Sequence, residues 1–467
     1  MKILLIHPRE NIWIRSKTVP LGLGYIASVL EKAGHNVKII DYRIFPDREL
    51  EKADVVGITA TTPLIRGAWE IAREAKKKFN AITVLGGPHV SALPEESAKL
   101  PYIDYVVRGE GEDTIVQLCS ILEQGKSAEQ VLGVSFKKDN KIIHHPHREF
   151  IKNIDDIPFP AYHLFPPLDK YTNPQPLISE RTPAANIMTS RGCPFDCVFC
   201  YKGVYGRHYR VRSPENLIAE WKWLIETYNV KEIAIQDDMF NIKLDRAKNI
   251  CKLIIKENLA IPWSTPNGIR ADFFDEELAV LMKEAGCYRI AFGIESGNQD
   301  ILNSIGKKIK LEDIEKAMKI AKKVNLKTIG FFVMGNPGDT GKTLQDSINF
   351  AIKVDPDYAQ FSAATPFPGT RLYEIIREKG KILIKDWDIY SQFDRKSYFE
   401  YGYINKQLVE KMVKKAYKKF YLRPQKLIKL ILETITFKNI FHVLGGALHF
   451  IFGWKHSKKI ENRRGND

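Results

Sequence analysis

Short apolar runs alternate with amphipathic segments over the first 130 residues of the chain. The apolar runs predict strands at Lys2–His7, Asn36–Asp41, Asp54–Thr59, Ala81–Leu85 and Tyr105–Val107. Apolar residues at helical spacing predict helices from Leu21 to Lys32, from Leu64 to Lys78 and from Glu112 to Leu122. This alternation predicts an α/β domain over residues 1–130, with a parallel sheet wrapped by helices.

Residues 131–183 follow a different pattern. Val134–Phe136 and Lys141–His144 flank Asp139 and Asn140, as the strands of a hairpin flank their turn. Seven prolines lie between residues 151 and 183, which is typical of a linker or of a loop that closes over a pocket. We therefore expect a hairpin and a proline-rich linker to divide two main domains.

Six pairs of strand and helix are predicted in residues 184–385. The strands are Ala185–Thr189, Glu232–Gln236, Ser264–Ile269, Arg289–Ile294, Thr328–Met334 and Tyr358–Ala363. Ser213 followed by Pro214 predicts the start of the first helix. Six pairs are too few for a complete eight-stranded barrel. In such folds, reactive groups gather at the carboxyl ends of the strands.

The last segment, residues 386–467, is predicted to be helical, apolar and basic. Residues 427–454 are rich in Leu, Ile and Phe, but their longest uncharged run, 439–454, has only 16 residues. That is short of the ~20 residues that span a bilayer. Two interpretations stay open: a helix pair lying in the membrane interface, or a helical cap that packs on the second domain.

Charge and composition narrow the classes of partner. The formal net charge is +15, but residues 401–467 hold fifteen Lys or Arg against four Asp or Glu, so most of the excess lies there. The remainder is close to balanced, which removes the argument for a broad nucleic-acid groove, and no nucleic-acid partner is expected. The apolar run Ile3–Ile6 is too short for a signal peptide, so we expect a cytoplasmic protein.

The most informative motif is R-G-C-P-F-D-C-V-F-C, which follows the first strand of the second domain and contains Cys193, Cys197 and Cys200. Iron–sulfur clusters are usually held by four cysteines, so three local ligands leave one iron open for a reacting ligand. A structural zinc site wants four ligands, and the other three cysteines are isolated singles. Disulfides, which need an oxidising compartment, and three buried inert thiols are the remaining alternatives.

With Phe199 before the last cysteine, C-x-x-x-C-x-aromatic-C resembles the signature loop of the radical S-adenosylmethionine (radical SAM) enzymes. The resemblance implies a partial (β/α)6 TIM-type barrel and a 4Fe–4S cluster whose open iron binds the amino and carboxylate groups of SAM. It places Phe199 near the adenine. Reductive cleavage of SAM then gives a 5'-deoxyadenosyl radical that takes hydrogen from an unactivated carbon, chemistry that belongs to the cofactors.

The same resemblance places SAM contacts at the ends of the barrel strands. A carboxylate at Asp237 or Asp238 suits the SAM ammonium, unless it serves as a helix cap. Arg270 suits either the SAM carboxylate or a structural ion pair, and Glu295 suits a ribose or amino contact. The full expected set is Phe199, Gln236, Asp237, Asp238, Asn267, Arg270, Glu295, Pro337 and Thr365.

Four segments of the first domain resemble the cobalamin-binding domain that precedes the radical module in one large subgroup. They are P-L-G-L-G-Y (20–25), T-A-T-T-P (59–63), G-G-P-H-V (86–90) and R-G-E-G-E (108–112). The resemblance implies a Rossmann-like (flavodoxin-like) domain with its ligand beyond the carboxyl ends of the strands. The expected cobalamin-binding residues are Pro20, Gly22, Thr59, Thr61, Thr62, Gly86, Gly87, His89, Arg108, Gly109 and Glu110.

The chain departs from the wider cobalamin pattern in one respect. It lacks the D-x-H-x-x-G element whose histidine ligates cobalt from below in many cobalamin proteins. We therefore expect no such ligand from this chain. A loop histidine such as His89 is more often a hydrogen-bonding residue than a cobalt ligand.

The resemblance covers roughly residues 1–385 and implies a cobalamin-dependent radical SAM enzyme. Methyl transfer to a carbon centre is the leading expectation, with an electron donor protein as partner. The basic, apolar C-terminal region makes a lipid or isoprenoid the expected substrate, and in its membrane-interface interpretation it contacts the inner face of the membrane. Ring closure or carbon–carbon coupling without methylation is the alternative. A methylthiotransferase would have further cluster cysteines in the first domain, which holds only Cys119, and a non-catalytic scaffold would not need the signature loop.

Overall fold

The computed structural model describes residues 1–9, 17–172, 181–384, 386–391 and 395–429. Two sheets organise these residues, one of seven strands and one of six. The sixteen-residue uncharged run at 439–454, on which the interpretation of the C-terminal region depends, lies outside the described residues.

The first sheet begins with five parallel strands, which confirms the predicted alternation. Its strands are β1 (Lys2–His7), β2 (Asn36–Asp41), β3 (Val55–Thr59), β4 (Ile82–Gly86), β5 (Tyr105–Val107), β6 (Val134–Lys138) and β7 (Lys141–His144), in the order β2-β1-β3-β4-β5-β6-β7. Its helices are α1 (Leu21–Lys32), α2 (Ile65–Phe79), α3 (Pro88–Ala92), α4 (Pro94–Ala98) and α5 (Glu112–Glu123).

The hairpin belongs to this sheet. Strand β6 pairs antiparallel with β5, and β7 pairs antiparallel with β6. The sequence pattern identifies the hairpin but not its neighbour, because β5 is only three residues long and gives no register signal. The sheet of the first domain therefore extends to residue 144, beyond the expected limit at residue 130.

The two faces of the first sheet pack in different ways. Side chains alternate along β1, so Ile3 and Leu5 belong to a core that runs on into the second domain. Leu4 and Ile6 face the other way, into a smaller core under α2. One face of the first domain is thus continuous with the second domain.

The second sheet is the predicted partial barrel. Its six parallel strands are β8 (Ala184–Ile187), β11 (Glu232–Ile235), β12 (Trp263–Ile269), β13 (Cys287–Glu295), β14 (Lys327–Met334) and β15 (Tyr358–Ala363), in that order across the sheet. A short antiparallel pair, β9 (Ser190–Arg191) and β10 (Arg210–Val211), frames the cysteine motif. The helices are α6 (Pro214–Tyr228), α7 (Leu244–Lys256), α8 (Glu276–Glu284), α9 (Gln299–Ser304), α10 (Leu311–Lys323), α11 (Gly341–Val354) and α12 (Arg371–Lys379).

Capping behaves as the sequence predicts at the start of α6. The hydroxyl of Ser213 accepts a hydrogen bond from the backbone N–H of Asn216, and Pro214 takes the first helical position. This satisfies one of the free N–H groups of the first turn.

A further helix, α13 (Lys406–Tyr421), covers the open edge of the partial barrel, after a small pair of strands, β16 (Lys381–Ile382) and β17 (Phe399–Glu400). The Tyr421 hydroxyl donates to the carbonyl of Ala359 and accepts from its N–H, at 2.8 and 2.9 Å. The N–H of Phe361 donates to the Tyr417 hydroxyl. Because an unpaired strand edge invites association with other chains, these tyrosines protect β15. The C-terminal helix is confirmed over residues 406–421.

Candidate functional site

The three cysteines lie on one loop at the mouth of the barrel, directly after β9. All three are free thiols; Cys193 is buried, Cys197 half-buried and Cys200 accessible. The N–H of Val198 donates to the carbonyl of Ile305 at 3.0 Å, and the carbonyl of Val198 accepts from the N–H of Leu372 at 2.8 Å. The loop is therefore fastened to the barrel between its second and third cysteines.

Glycine is required where this loop meets its neighbours. Gly192 has φ +81°, and a Cβ at that position would lie 2.4 Å from the carbonyl oxygen of His208. Gly306 has φ +72°, and a Cβ there would lie 2.7 Å from the carbonyl oxygen of Asp196. Larger residues at either position would push the cysteine loop out of place.

Protein surrounds two of the thiols closely. Burial raises the pKa of Cys197, and it raises the pKa of Cys200 to about 11. Cys200 nevertheless keeps accessible surface, so this end of the loop is open to solvent. Bound iron would overcome these shifts, because a coordinating thiol is deprotonated.

The donor set fits a cluster rather than a single ion. Within the described residues, no three His, Cys, Asp or Glu side chains are grouped as the ligands of one metal ion would be. In a cluster each thiolate binds a different iron atom. The three thiols of this fastened loop lie close enough together that Cys193 raises the pKa of Cys197 and both raise that of Cys200.

Of the two adjacent aspartates, only one faces the mouth. Asp237 is buried and accepts hydrogen bonds from the N–H of Thr189 and the hydroxyl of Ser190, so its carboxylate fastens the start of the cysteine loop. Asp238 is accessible; burial raises its pKa, while Lys202 and the N–H of Gly192 oppose that rise. The structure thus leaves Asp238 available to a cationic ligand.

Arg270 is fully engaged with protein. Its guanidinium pairs with both carboxylate oxygens of Asp272, at 2.9 and 2.7 Å. It also donates to the carbonyls of Lys307 and Lys308, and it lies 3.6 Å from the ring centroid of Phe195 in the cysteine loop. Of the two expectations for Arg270, this geometry favours the structural ion pair.

Two other predicted residues brace neighbouring strand ends. The Asn267 side chain donates to the carbonyl of Gln236 at 3.1 Å, so these two positions come together. Phe199 is half-buried against the core of the barrel.

Glu295 and Lys307 form a buried ion pair at the end of β13. Lys307 Nζ lies 2.9 Å from Glu295 Oε1, and both side chains are 10 % exposed. Glu295 has φ +66°, a left-handed conformation rare for Glu, where the register between β13 and β14 shifts. Lys307 also lies close enough to Cys197 to oppose the rise of its pKa. Sequence reasoning missed Lys307, because it lies on a loop twelve residues after Glu295 and belongs to no motif.

Pro337 and Thr365, the last two residues of the expected SAM-binding set, lie apart from the Glu295–Lys307 pair. Pro337 is half-buried, and its carbonyl accepts a hydrogen bond from the Ser304 hydroxyl. Thr365 is buried and donates to the carbonyls of Ala363 or Ser391. Pro337 and Thr365 stay at strand ends as predicted, with contacts to protein.

The carboxyl edge of the first sheet presents small residues. Thr59 and Gly86 end neighbouring strands, and Thr61 is exposed. A Cβ at Gly86 or Gly22 would meet no atom within 4 Å, so the surface there is open. Pro20 precedes α1 and its carbonyl accepts from the first turn.

Gly87 requires its glycine for a different reason. It has φ +111°, and a Cβ would lie 2.8 Å from the carbonyl of Ala60. The loops after β3 and β4 therefore touch through backbone, and the edge has the open, small-residue character that a large planar ligand requires.

His89 does not face this open edge freely. It is 1 % exposed, and its ring nitrogens lie 3.3 Å from the Thr62 hydroxyl and 3.4 Å from Glu96 Oε2. Trp387, from the segment after the barrel, packs edge-on against the imidazole and donates its indole N–H to Glu96. His89 is therefore enclosed by the side chains of Thr62, Glu96 and Trp387.

The loop after β5 forms the contact between the two domains. The Glu110 carboxylate accepts from Arg191 at 3.0 Å and from Arg210 at 2.8 Å, and Glu112 accepts from Arg191 at 2.6 Å. The Arg191 guanidinium lies between the rings of Tyr25 and Tyr205, 5.1 Å from each centroid. Arg191 is the second residue before Cys193, so the first domain contacts the start of the cysteine loop directly.

The remaining residues of this loop also contact protein. Arg108 donates to the carbonyls of Val134 and His145. Gly109 has φ +75° and its N–H donates to the Ser91 hydroxyl at 3.0 Å. Arg108 and Glu110, which we expected to contact cobalamin, are thus occupied by protein partners.

Comparison with known proteins identifies both domains. A model of the radical SAM superfamily matches residues 187–351, and a model of the B12 binding domain matches residues 12–119. The chain is 40 % identical over 448 residues to an uncharacterised methyltransferase of Pyrococcus horikoshii, covering 93 % of this chain and 95 % of that one. The chain belongs to the cobalamin-binding radical SAM enzymes. Its cofactors are accordingly a 4Fe–4S cluster, SAM and cobalamin.

Other relatives within the cobalamin-binding radical SAM enzymes are known by their reactions. Cytidylyl-2-hydroxyethylphosphonate methyltransferase of Streptomyces wedmorensis is 30 % identical, covering 81 % of this chain and 82 % of that one. Anaerobic magnesium-protoporphyrin IX monomethyl ester cyclase of Rubrivivax gelatinosus is 28 % identical, covering 82 % and 71 %. Hopanoid C-3 methylase of Methylococcus capsulatus is 25 % identical, covering 84 % and 75 %.

Two solved structures share the fold of this radical SAM enzyme. The radical SAM methyltransferase TsrM of Kitasatospora setae, with cobalamin and a 4Fe–4S cluster bound, superposes with a TM-score of 0.67 at 20 % identity, covering 81 % of this chain and 75 % of that one. The cobalamin-dependent enzyme OxsB gives 0.73 at 17 % identity, covering 99 % and 74 %. In the part of the chain that the structure describes, no helix combines the length and apolar character needed to cross a membrane.

Proposed function

We propose that this enzyme is a C-methyltransferase that cleaves SAM reductively and methylates an unactivated carbon. The observation that carries the proposal is the buried contact of Arg191 with Glu110 and Glu112, which holds the cysteine loop against the first domain. An enzyme that combines a radical with a methyl group from cobalamin needs its two domains at a fixed separation. Two relatives, at 40 % and 30 % identity, are named methyltransferases.

The residues divide the work as follows. Cys193, Cys197 and Cys200 hold the cluster, and Asp238 and the Glu295–Lys307 pair present charges of both signs to the amino and carboxylate groups of SAM. The edge formed by Thr59, Thr61, Gly86 and Gly87 receives cobalamin. When bound, the cofactors supply the radical that abstracts hydrogen from the substrate carbon and the methyl group that replaces it.

The substrate in this proposal is a lipid or isoprenoid, delivered to a cytoplasmic enzyme that takes its electrons from a donor protein. The basic, apolar sequence of the C-terminal region and the relative named hopanoid C-3 methylase support this class. The relative named for a cyclase reaction favours ring closure or carbon–carbon coupling as the second candidate.

The test is anaerobic incubation of the cluster-loaded enzyme with SAM, cobalamin, a chemical reductant and a lipid extract, followed by mass analysis. Methylation adds one methylene unit to a product, and SAM labelled in its methyl group passes the label to it. Loss of hydrogen without label transfer would favour ring closure or coupling. SAM turnover with no change in any extract component would overturn the lipid assignment, and a parallel incubation with a water-soluble extract would then identify the substrate class.

A further inference from the structure

Helix α13 has two faces of opposite character. Its inner face is buried on the open edge of the barrel, through Val409, Met412, Val413, Ala416 and Phe420. Its outer face carries five exposed lysines: Lys411, Lys414, Lys415, Lys418 and Lys419. Because residues three and four apart share a helix face, these lysines form one positive stripe, called here the lysine face.

The lysine face is not neutralised by neighbouring carboxylates. Within the described part of the chain, no ion pair involves any of its five side chains, whereas exposed lysines of other helices such as Lys323 and Lys353 are paired with glutamates. Like charges at this spacing repel one another and destabilise a helix. The last-turn position favours Lys418 and Lys419 through the helix dipole, but it does not account for Lys411, Lys414 and Lys415.

Basic residues in the segment after α13, residues 422–429, form ion pairs with acidic residues of the barrel. Arg423 and Lys426 pair with Asp355 at 2.6 and 3.0 Å, and Lys429 pairs with Asp357. These cations anchor the segment to the barrel. The same basic stretch therefore contains an inner set that is neutralised and an outer set, the lysine face, that is left for an external partner.

One exposed aliphatic side chain, Leu422, adjoins the lysine face, and another, Ile428, lies in the segment that follows α13. Leu422 is 44 % exposed and Ile428 is 58 % exposed. Leu422 lies eleven residues after Lys411, which places both on the same line along the helix. Lysines in line with an exposed aliphatic residue suit a lipid surface, which has anionic headgroups outside and acyl chains beneath. A nucleic-acid or acidic protein surface has no apolar layer in which Leu422 and Ile428 could be buried.

We propose that the lysine face, with Leu422 and Ile428, docks the enzyme on an anionic lipid surface. Each lysine brought to such a surface strengthens binding about fivefold at physiological ionic strength. Leu422 and Ile428 enter the boundary between headgroups and acyl chains. This orientation places the outer side of α13 on the membrane.

This inference deepens the proposed lipid substrate but is tested without turnover. Membrane binding is measured on the enzyme at rest, so failure to bind vesicles leaves the proposed methyl transfer untouched. Failure to methylate any lipid likewise leaves the docking surface standing if the vesicles are bound.

The experiment is co-sedimentation of the full chain with phosphatidylcholine vesicles that contain or lack phosphatidylglycerol. The test variant carries Lys411→Glu, Lys415→Glu and Lys418→Glu. The control variant carries Lys77→Glu, Lys256→Glu and Lys319→Glu, which make the same change of net charge at exposed positions on three separate helices. We expect wild type and control to bind only the anionic vesicles, and the test variant to bind them about a hundredfold or more weakly.

Two further measurements separate a membrane from other anionic partners. Leu422→Gln should weaken vesicle binding severalfold without changing retention on heparin, since only a bilayer receives the aliphatic side chain. Added salt should release the wild type from vesicles. Equal vesicle binding by test and control variants, or no wild-type binding at all, would overturn the proposal. Vesicle binding that is unchanged while reduction by a flavodoxin is lost would assign the lysine face to an acidic electron donor instead.

Discussion

The carboxyl edge of the barrel and that of the first sheet place their polar residues in opposite ways. At the barrel mouth, the charged side chains of Asp238, Glu295 and Lys307 lie beside the cysteine loop. At the first sheet, His89 lies against Glu96 and Glu110 pairs with Arg191, so the open edge presents glycines and threonines. The barrel mouth thus presents charged side chains, whereas the open edge of the first sheet presents small residues and backbone.

This difference matches the chemistry of the two ligands. SAM carries an ammonium, a carboxylate and a sulfonium, which charged side chains can position. The corrin ring of cobalamin is a broad plane with neutral amide groups, for which an open edge of small residues leaves room. The polar residues of the first domain do a different task, since Glu110 and Glu112 hold the barrel's Arg191.

Removal of Cys197 is expected to have the largest effect, because it tests whether the barrel mouth carries the chemistry at all. Cys197→Ala leaves two thiols on the loop, and a cluster held by three cysteines should be lost. Reductive cleavage of SAM should fall below detection, measured as 5'-deoxyadenosine, with loss of the brown colour and of the paramagnetic signal after reduction. Cys119→Ala, in the buried core of the first domain, should retain both. Unchanged cleavage in the Cys197 variant would refute the assignment of the loop.

The contact between the two regions is expected to be the next most sensitive point. Arg191→Met leaves Glu112 buried without its cation, and breaking a buried pair in this way costs about 3–5 kcal/mol. Hydrogen exchange measured in the presence of denaturant should show less protection of the backbone amides in both β9 and the loop after β5. Arg212→Met breaks a comparably buried pair, with Glu220 inside the barrel, and should leave the loop after β5 protected. Equal effects of both variants on that loop would mean that Arg191 has no special role between the domains.

Much of the fold follows from sequence periodicity, because long parallel strands carry strong apolar runs. Strand β15 matches its prediction at both ends, and the other five barrel strands differ by one or two residues. The pairing of the hairpin with β5 could not be predicted, because β5 is only three residues long.

The grouping of Cys193, Cys197 and Cys200 on one loop at the barrel mouth was predictable, because a motif fixes their spacing along the backbone. Sequence could not tell Asp237 from Asp238, because after a strand end the direction of each side chain depends on the packing of the loop. It also could not find Lys307, whose partner Glu295 is brought close only by tertiary structure. The roles of Arg191 and Glu112 depend on a contact between domains, for which one sequence gives no signal.

The first domain should be the more sensitive of the two to mild acid, because of His7 at the carboxyl end of β1. Burial lowers the pKa of His7 to about 4, with Arg43 adding to the effect and Asp41 opposing it. The unfolded chain takes up a proton below the ordinary pKa of 6.5 while the folded protein does not. Stability from this group is thus complete above pH 6.5 and falls by about 3 kcal/mol as the pH drops towards 4.

His7→Gln should flatten this pH dependence, as measured by hydrogen exchange in β1, β2 and β3 between pH 7 and pH 4.5. His208→Gln, at an exposed position in the barrel, should leave the slope as it is in the wild type. If the first domain of the His7 variant loses protection as steeply as the wild type, other groups must control its acid sensitivity.

The charged character of the barrel mouth can be tested most finely at Lys307. Lys307→Met leaves Glu295 buried and without its cation, so the carboxylate loses the partner that orients it. We expect SAM to bind about tenfold more weakly, equivalent to ~1.4 kcal/mol, in equilibrium dialysis with the cluster-loaded enzyme and no reductant. Lys308→Met removes the neighbouring exposed lysine and should bind SAM normally.

The conservative variant Lys307→Arg distinguishes an electrostatic role for Lys307 from a structural one. Arg keeps a positive charge beside Glu295, so it should restore most of the SAM affinity that Lys307→Met loses. Wild-type affinity in Lys307→Met would show that the barrel mouth does not bind SAM through this pair, and the contrast with the first domain would then rest on Asp238 alone.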